Sequence, residues 1–220
     1  VYNKLAKNKF LQLEKSNIKK ISVNGCPRIK DYIVKNKFYK KPKTILFLSF
    51  DCEKGIIKDN QNKNLNWKKS YNKVIKILNE LSNDNSLNII IKKKHNSVDQ
   101  INNKIDKRIK IFKAGSAEMY INRADIIIGH NSSATIEGMI NGKYIMVPFF
   151  ENDTKLKKYL LNFDDSIIYT SEMKMKKKIL NLLDKKVIFP LDNKRHNKTI
   201  QYYLGDFKNI TKNYINFLNE

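Results

Sequence analysis

The stretch DIIIGHNSSATIEG, residues 125–138, decides the fold. Its isoleucine run predicts a buried strand, and the segment that follows GHNSS predicts a helix. Hydroxyl, amide and imidazole groups crowd the point where the strand ends and the helix begins. Such a junction is either an ordinary capped loop or a binding site for an anion.

The chain around this stretch alternates apolar strands with helices. Helices are predicted over 67–81, 116–124, 133–142 and 175–183 and near 207–218, with a short helix or irregular segment over 98–106. Strands are predicted at KISVNG (20–25), KTILFLSF (43–50), LNIIIKKK (87–94), KRIKIFKA (107–114), DIIIG (125–129), KYIMVPF (143–149) and SIIYT (166–170). Because strands joined through helices return in the same direction, the pattern predicts an α/β fold with a Rossmann-like, doubly wound parallel sheet.

Composition narrows the class of protein. The chain has 220 residues, 41% of them hydrophobic, which is enough for a buried core. Its apolar runs are too short to span a bilayer, and Cys26 and Cys52 lack metal-ligand spacing, so we expect a cytoplasmic protein, peripheral at the inner membrane at most.

The formal net charge of +23 admits three interpretations. The lysines are spread along the whole chain together with Asn and Ile, which favours a solvated surface. A basic face that attracts anionic lipid or an acidic substrate is the second interpretation. Nucleic acid is the third, but few arginines and no interleaved aromatic residues argue against specific nucleic-acid recognition.

The predicted sheet selects the candidate site residues, because ligands of such sheets bind where the strands end. They are Ser49 after one strand, Lys94 and His95 after the next, Gly115 and Ser116 after the third, and His130, Asn131, Ser132 and Ser133 after the fourth. Ser132, Ser133 and Thr135 flank the first turn of a helix, where free N–H groups and the helix dipole favour an anion. Hydroxyls there also serve as ordinary caps.

Glu137, about one turn into the same helix, suits the diol of a ribose better than a phosphate. A helix end for phosphate and a carboxylate for sugar together describe a nucleotide, although a Glu near a helix start is also favoured by the dipole alone. The sequence contains no phosphate-binding G-x-x-x-x-G-K-S/T loop, no G-x-G-x-x-G, no H-E-x-x-H and no G-x-S-x-G. These absences argue against P-loop hydrolases, dinucleotide oxidoreductases and serine hydrolases.

The segments NGCPRIKD (24–31), KKKHNS (92–97), AGSAEMYINRADIIIGHNSSATIEGMINGKYIMVPFF (114–150) and YYLGDFKNITKNYINFL (202–218) resemble the donor-binding, C-terminal half of GT-B glycosyltransferases. They are similar, more narrowly, to bacterial surface-polysaccharide enzymes such as Kdo transferases and sialyltransferases with HP and SS motifs. That resemblance implies that His95, Ser132 and Ser133 hold the nucleotide and its phosphate, and that Glu137 contacts the ribose. Here Asn96 replaces the proline of HP, and Gly129 occupies the position of a first glutamate.

The resemblance also implies a domain organisation. Residues 1–35 are expected to be the tail of an N-terminal domain and its linker, 36–190 the nucleotide-sugar-binding domain, and 191–220 a helical segment that packs back toward the N-terminal domain. The catalytic base would lie in the N-terminal domain. The expected partners are a nucleotide sugar, CMP-, UDP- or CDP-linked, and a glycan or glycolipid acceptor, with no metal and no cofactor. Two rivals remain open: a sugar-nucleotide epimerase of the same architecture, and a non-catalytic module that binds membrane or nucleic acid.

Overall fold

The computed structural model describes residues 7–8, 11, 26, 38–49, 68–94, 105–130, 132–150, 163–189, 194–205 and 209–218. The strands within these ranges are β1 (Phe38–Lys40), β2 (Thr44–Leu48), β3 (Asn88–Lys92), β4 (Lys110–Phe112), β5 (Ile126–Ile128), β6 (Tyr144–Pro148), β7 (Ile168–Tyr169) and β8 (Val187–Phe189). The helices are α1 (Lys68–Leu81), α2 (Ala117–Arg123), α3 (Ser133–Ile140), α4 (Glu172–Leu183), α5 (Lys194–Leu204) and α6 (Ile210–Leu218), with a 3-10 turn at Asp165–Ile167.

The main sheet has six strands in the order β4-β3-β2-β5-β6-β7, and all of its pairs are parallel. The predicted α/β class and parallel sheet are confirmed. The chain builds outward from β2 through β3 to β4, then returns to the other side of β2 with β5. The strand order therefore reverses between β2 and β5, and the crevice at that reversal is where such sheets bind ligands.

Helices cover both faces of this sheet, which explains why its strands are apolar without alternation. On one face, Leu46, Ile90 and Ile127 pack with residues of α2, α3 and α5. On the other face, Ile45 and Ile126 pack with residues of α1 and α4. None of the described helices is long and apolar enough to span a bilayer.

Asp125 joins the amino ends of β2 and β5. Its buried carboxylate accepts hydrogen bonds from the N–H groups of Lys43 (2.8 Å) and Thr44 (3.0 Å) and pairs with the ammonium of Lys40. Burial lowers the pKa of the nearby Lys143 to about 8; Asp125 opposes this shift and Lys40 adds to it. Because hydrogen bonds to a buried carboxylate are strong, Asp125 fixes where β2 starts relative to β5.

The structure contains elements that the sequence did not predict. β1 and β8 pair antiparallel as a separate two-stranded sheet. Each has only three residues, too few to show a strand period. The predicted C-terminal helical segment contains two helices, α5 and α6. The strand predicted at 20–25 and most of the segment 98–106 lie outside the described residues. The predicted domain boundaries stay predictions.

Gly138 lets α3 approach the sheet closely. A Cβ at this position would lie 2.6 Å from Cδ1 of Ile127 and 3.0 Å from Cδ1 of Ile145. Glycine normally weakens the interior of a helix, so its presence in an eight-residue helix needs a packing reason. That reason is the contact with β5 and β6, which places the start of α3 over the end of β5.

We expect Gly138→Ala to lower the free energy of unfolding by about 1–3 kcal/mol, because overpacking outweighs the better helix propensity of alanine. Ile127→Val removes the closest clashing atom, so the double variant should lose less than the sum of the two single variants. Urea unfolding of the four proteins measures this coupling. Equal or greater stability of Gly138→Ala alone would contradict the packing role.

Candidate functional site

Ser49 and His130 lie beside each other at the point where the strand order reverses. Phe47 of β2 pairs with Ile128 of β5, and each candidate residue lies two positions further along its strand. The N–H of Ser49 donates to the carbonyl of Lys92 (2.9 Å), and the ladder continues on the other side through Gly129. Both residues are buried. The structure therefore brings together these two predicted site residues.

The hydroxyl of Ser49 has a partner that the sequence did not reveal. Its Oγ lies 3.3 Å from the phenol oxygen of Tyr71, which is in α1 and whose ring packs against Phe47. Tyr71 belongs to the apolar stripe of α1, so its spacing indicated only a core residue. A buried pair of hydroxyls thus lies at the carboxyl end of β2.

The turn from β5 to α3 is held closed by Thr135. Its hydroxyl donates to the carbonyl of His130 (2.9 Å), and a Cβ on Gly129 would lie only 2.6 Å from the same Oγ1. Only a glycine leaves room for this hydrogen bond. Thr135 is fully buried and commits its proton to the turn, so the geometry assigns it an internal role, and its contact with a phosphate stays a prediction.

Ser132 and Ser133 form the start of α3. Ser132 is the N-cap, and its Oγ accepts from the N–H of Ala134 at 3.2 Å. Ser133 is the first helical residue and is exposed. Capping by Ser132 confirms the predicted helix start, and the exposed hydroxyl of Ser133 lies where a helix presents its positive end.

Glu137 is buried in α3, although it is a charged residue type. It lies four residues after Ser133, so the two share one face of the helix. Gly138, which contacts the sheet, points a different way. The predicted combination of a helix end and a carboxylate is therefore present on one surface of α3.

His130 is a neutral group in this structure. Its side chain is buried, and this burial lowers its pKa to about 3. At neutral pH the ring therefore carries no positive charge, so His130 cannot attract a phosphate as a cation. Whatever it contributes comes from shape and from the carbonyl that accepts the Thr135 hydrogen bond.

The lysines that are buried at the neighbouring strand end are Lys92 and Lys93, not the predicted Lys94. The ammonium of Lys92 donates to the carbonyls of Lys93 (2.7 Å) and Lys113 (2.9 Å), and desolvation lowers its pKa. Lys94 is exposed. The sequence missed Lys92 because a lysine at the end of an apolar run is usually the first solvated residue.

Gly115 and Ser116 lie further from this group. They follow β4, three strand positions from β5, which corresponds to about 14 Å across a sheet. Gly115 has a φ of 85°, and Ser116 caps α2 with its Oγ 3.4 Å from the N–H of Met119. His95 and Asn131, also predicted as site residues, lie outside the described residues.

The candidate site within the described residues thus combines an anion-favouring helix end with buried hydroxyls, a neutral imidazole and a carboxylate. No three His, Cys, Asp or Glu side chains of the described ranges lie close enough together to hold a metal ion. The hydroxyls and N–H groups at the start of α3 are donors for phosphate oxygens. All the predicted ligand contacts stay predictions.

Comparisons with known proteins agree with this architecture. No protein-family model and no curated protein matches the sequence. Among solved structures, a Listeria monocytogenes protein assigned as a UDP-N-acetylglucosamine 2-epimerase is similar over 99% of this chain and 58% of its own, with 14% identity and a TM-score of 0.51. S. aureus MnaA, solved with UDP, is similar over 100% and 60%, with 15% identity and a TM-score of 0.50.

A third similar structure is a variant of the wall teichoic acid polymerase TagF, with 13% identity and a TM-score of 0.50 over 99% of this chain and 56% of its own. The chain therefore spans a little over half the length of each of these proteins. It has a Rossmann-like domain that corresponds to half of a GT-B fold, an architecture shared by glycosyltransferases and UDP-GlcNAc 2-epimerases.

Removing the Thr135 hydroxyl tests the closed turn. Thr135→Val should lower the free energy of unfolding by about 1–3 kcal/mol, because the buried carbonyl of His130 loses its donor. Thr135→Ser keeps the hydroxyl and should lose clearly less. Chemical denaturation of both variants gives the comparison, and equal losses would show that packing, not the hydrogen bond, holds the turn.

The pKa of His130 predicts a pH-dependent stability. Its folded-state pKa, about 3, lies below the ordinary value of 6.5, so the unfolded chain binds a proton first as the pH falls. This residue should therefore cost about 2 kcal/mol of stability between pH 7 and pH 5, with further loss toward pH 3.

His130→Asn should remove most of that loss when urea unfolding is compared at pH 7 and pH 5. His196→Gln is the matched comparison, because His196 is also buried and its pKa is also lowered by burial. If His130→Asn and the wild type lose the same stability between the two pH values, the imidazole is not held neutral by burial.

Proposed function

We propose that this chain is the nucleotide-sugar-binding half of a GT-B glycosyltransferase that transfers a sugar from a nucleotide-sugar donor to a surface glycan acceptor. The donor would be a CMP-linked sugar of the Kdo or sialic acid type, or a UDP-linked sugar. The observation that carries the proposal is the hydroxyl-bearing start of α3 at the reversal of the strand order. Solved structures with the same architecture include MnaA with UDP and the polymerase TagF.

The donor phosphate would bind at the first turn of α3. Backbone N–H groups at a helix start carry a partial positive charge, and Ser133 adds an exposed hydroxyl donor. Because His130 is neutral, the imidazole adds no positive charge there, and the helix end contributes positive potential at the turn. As the glycosidic bond breaks, the same donors would stabilise the negative charge that develops on the leaving nucleotide.

The nucleoside would lie along the face of α3 that carries Ser133 and Glu137. A ribose diol presents two hydroxyl donors, which a carboxylate accepts well. Glu137 is largely buried, so it would favour a neutral sugar over a second phosphate. This arrangement distinguishes a nucleotide from a free phosphate ion.

A sugar-nucleotide epimerase is the second candidate. One similar solved structure, the L. monocytogenes protein, is assigned to this class of enzyme. Another, MnaA, has the same fold and was solved with UDP. Such an enzyme would use the same phosphate site but would change the donor sugar without an acceptor. The two candidates therefore share the binding prediction and differ in the product.

Isothermal titration calorimetry with UDP, CMP and CDP tests the binding site. Ser133→Ala should lower the affinity for the preferred nucleotide about tenfold, because hydrogen bonds to charged groups contribute roughly 1.5 kcal/mol or more. Stability should stay nearly unchanged, since Ser133 is exposed. Ser132→Ala/Ser133→Ala should lose more affinity and also the stability of the cap.

The matched control is Ser171→Ala. Ser171 caps α4 as Ser132 caps α3, with its Oγ 3.5 Å from the N–H of Lys174, but it follows β7, two strands from β5. It should lose a similar cap stability and keep the nucleotide affinity. Unchanged affinity in the double Ser132/Ser133 variant would rule out the start of α3 as the phosphate site.

Product analysis separates the two candidate reactions. The full-length gene product, incubated with a bound nucleotide sugar and no acceptor, should release no epimer that proton NMR detects. With a matching glycan acceptor, it should release free nucleotide. If an epimer forms without acceptor, the protein is an epimerase and not a transferase, and the proposal for the donor site is unaffected.

A further inference from the structure

α4 has two different faces. Met175, Ile179 and Leu182 face the core and are buried. The opposite side carries large apolar side chains in solvent: Met173 is 76% exposed and Leu180 is 43% exposed. Ile188 in β8, shortly after the helix, is 39% exposed. Two large exposed apolar side chains on one helix face, with a third in the strand that follows, suggest a contact surface.

The same face carries a local excess of positive charge. Asp184, the C-cap of α4, is an exposed acidic residue of this segment. The exposed lysines on the helix are Lys174, Lys177 and Lys178, and Lys185 and Lys186 are exposed just after it; these five are here called the α4 lysines. None of them forms an ion pair with a carboxylate of the described residues. Two acidic neighbours are already paired: Glu172 with Lys73 at 2.8 Å, and Glu80 with Lys176 at 2.5 Å.

The positions of these residues make one continuous surface. Met173, Lys177 and Leu180 follow a spacing of four and three residues, so they form a single stripe along the helix. Lys174 and Lys178 form the adjacent stripe. The result is a stripe in which Lys177 lies between Met173 and Leu180 and Asp184 follows at the end, beside a second stripe of lysines, on an element whose other face is anchored in the core.

We propose that this α4 surface docks on an anionic lipid bilayer. Lysines gain energy from the negative potential of anionic headgroups, and apolar side chains gain it by entering the boundary between headgroups and acyl chains. Nucleic acid fits less well. Residues 172–188 contain no arginine for bidentate contacts and no aromatic residue for base stacking, and nucleic acid would leave Met173 in water.

The proposed bilayer contact on α4 would lie close to the candidate site. The helix follows β7, which runs parallel to the other strands of the sheet. Met173, near the start of α4, therefore lies at the end of the helix nearest the carboxyl edge. A bilayer against this surface would lie beside the edge that carries Ser49, His130 and Ser133. The surface itself does not depend on the proposed donor site, so the two proposals stand or fall separately.

Vesicle flotation of the 220-residue chain tests the proposal. The chain should float with vesicles that contain roughly one-third phosphatidylglycerol and stay behind with pure phosphatidylcholine. Lys174→Gln/Lys177→Gln/Lys178→Gln should reduce partitioning roughly a hundredfold, since each lysine near such a surface contributes about fivefold. Met173→Ser/Leu180→Ser should reduce it about tenfold at unchanged net charge.

A matched control removes the same charge elsewhere. Lys107→Gln/Lys110→Gln/Lys113→Gln changes three exposed lysines around β4, the strand at the opposite edge of the sheet from β7. Its loss of partitioning should be less than about one-fifth of the loss caused by Lys174→Gln/Lys177→Gln/Lys178→Gln, because these charges lie far from the bilayer. Equal losses in the two triple variants would overturn the proposal, because net charge alone would then drive binding.

The apolar variant decides between lipid and polyanions in general. One contrary result is that Met173→Ser/Leu180→Ser partitions like the wild type. The other is that a duplex DNA of equal charge displaces the chain from vesicles and that the affinity for this DNA falls in parallel with the partitioning across all the variants. In both cases the surface binds polyanions without inserting into lipid. Either result overturns the proposal. Circular dichroism of each variant, with an unchanged spectrum expected, confirms that the fold is intact.

Discussion

The parallel pairing of β2 with β5 is the constraint on which the candidate site depends. Asp125 fixes this pair from the amino end by accepting the N–H groups of Lys43 and Thr44. With that register, Ser49 and His130 emerge side by side at the other end. A shift of one residue would turn the apolar side chains of β5 to the opposite faces, so the buried core and the site use the same register.

At the carboxyl edge, steric fit and polarity act together. Gly129 and Thr135 close the turn, Gly138 lets α3 approach β5 and β6, and both contacts direct the first turn of α3 into the crevice. Burial keeps His130 neutral, and the ammonium of Lys92 is engaged by two carbonyls. Peptide dipoles at the start of α3 contribute positive potential at the turn, and they are fixed in place before a ligand arrives.

Sequence patterns identified the elements whose residues are mostly buried. The apolar runs at 44–48 and 126–128 and the stripe in α1 identified strands and a helix, and Ser132 marked the start of α3. The strand order was not predictable, because sequence periodicity carries no information on which strands are neighbours. Tyr71 was missed because its partner, the hydroxyl of Ser49, comes from a different strand, and Lys92 was missed because one of the two carbonyls that it binds belongs to Lys113 in the segment after β4. Gly115 and Ser116 were grouped with a site that lies about three strand positions away.

The most direct measurement is a crystal structure of the full-length protein with UDP or CMP, whichever binds more tightly. We expect a phosphate oxygen within about 3 Å of the N–H and Oγ of Ser133, as for hydrogen bonds to an anion, and the ribose beside Glu137. A nucleotide phosphate bound at another helix start, such as that of α2 or α4, with the first turn of α3 empty, would contradict this expectation.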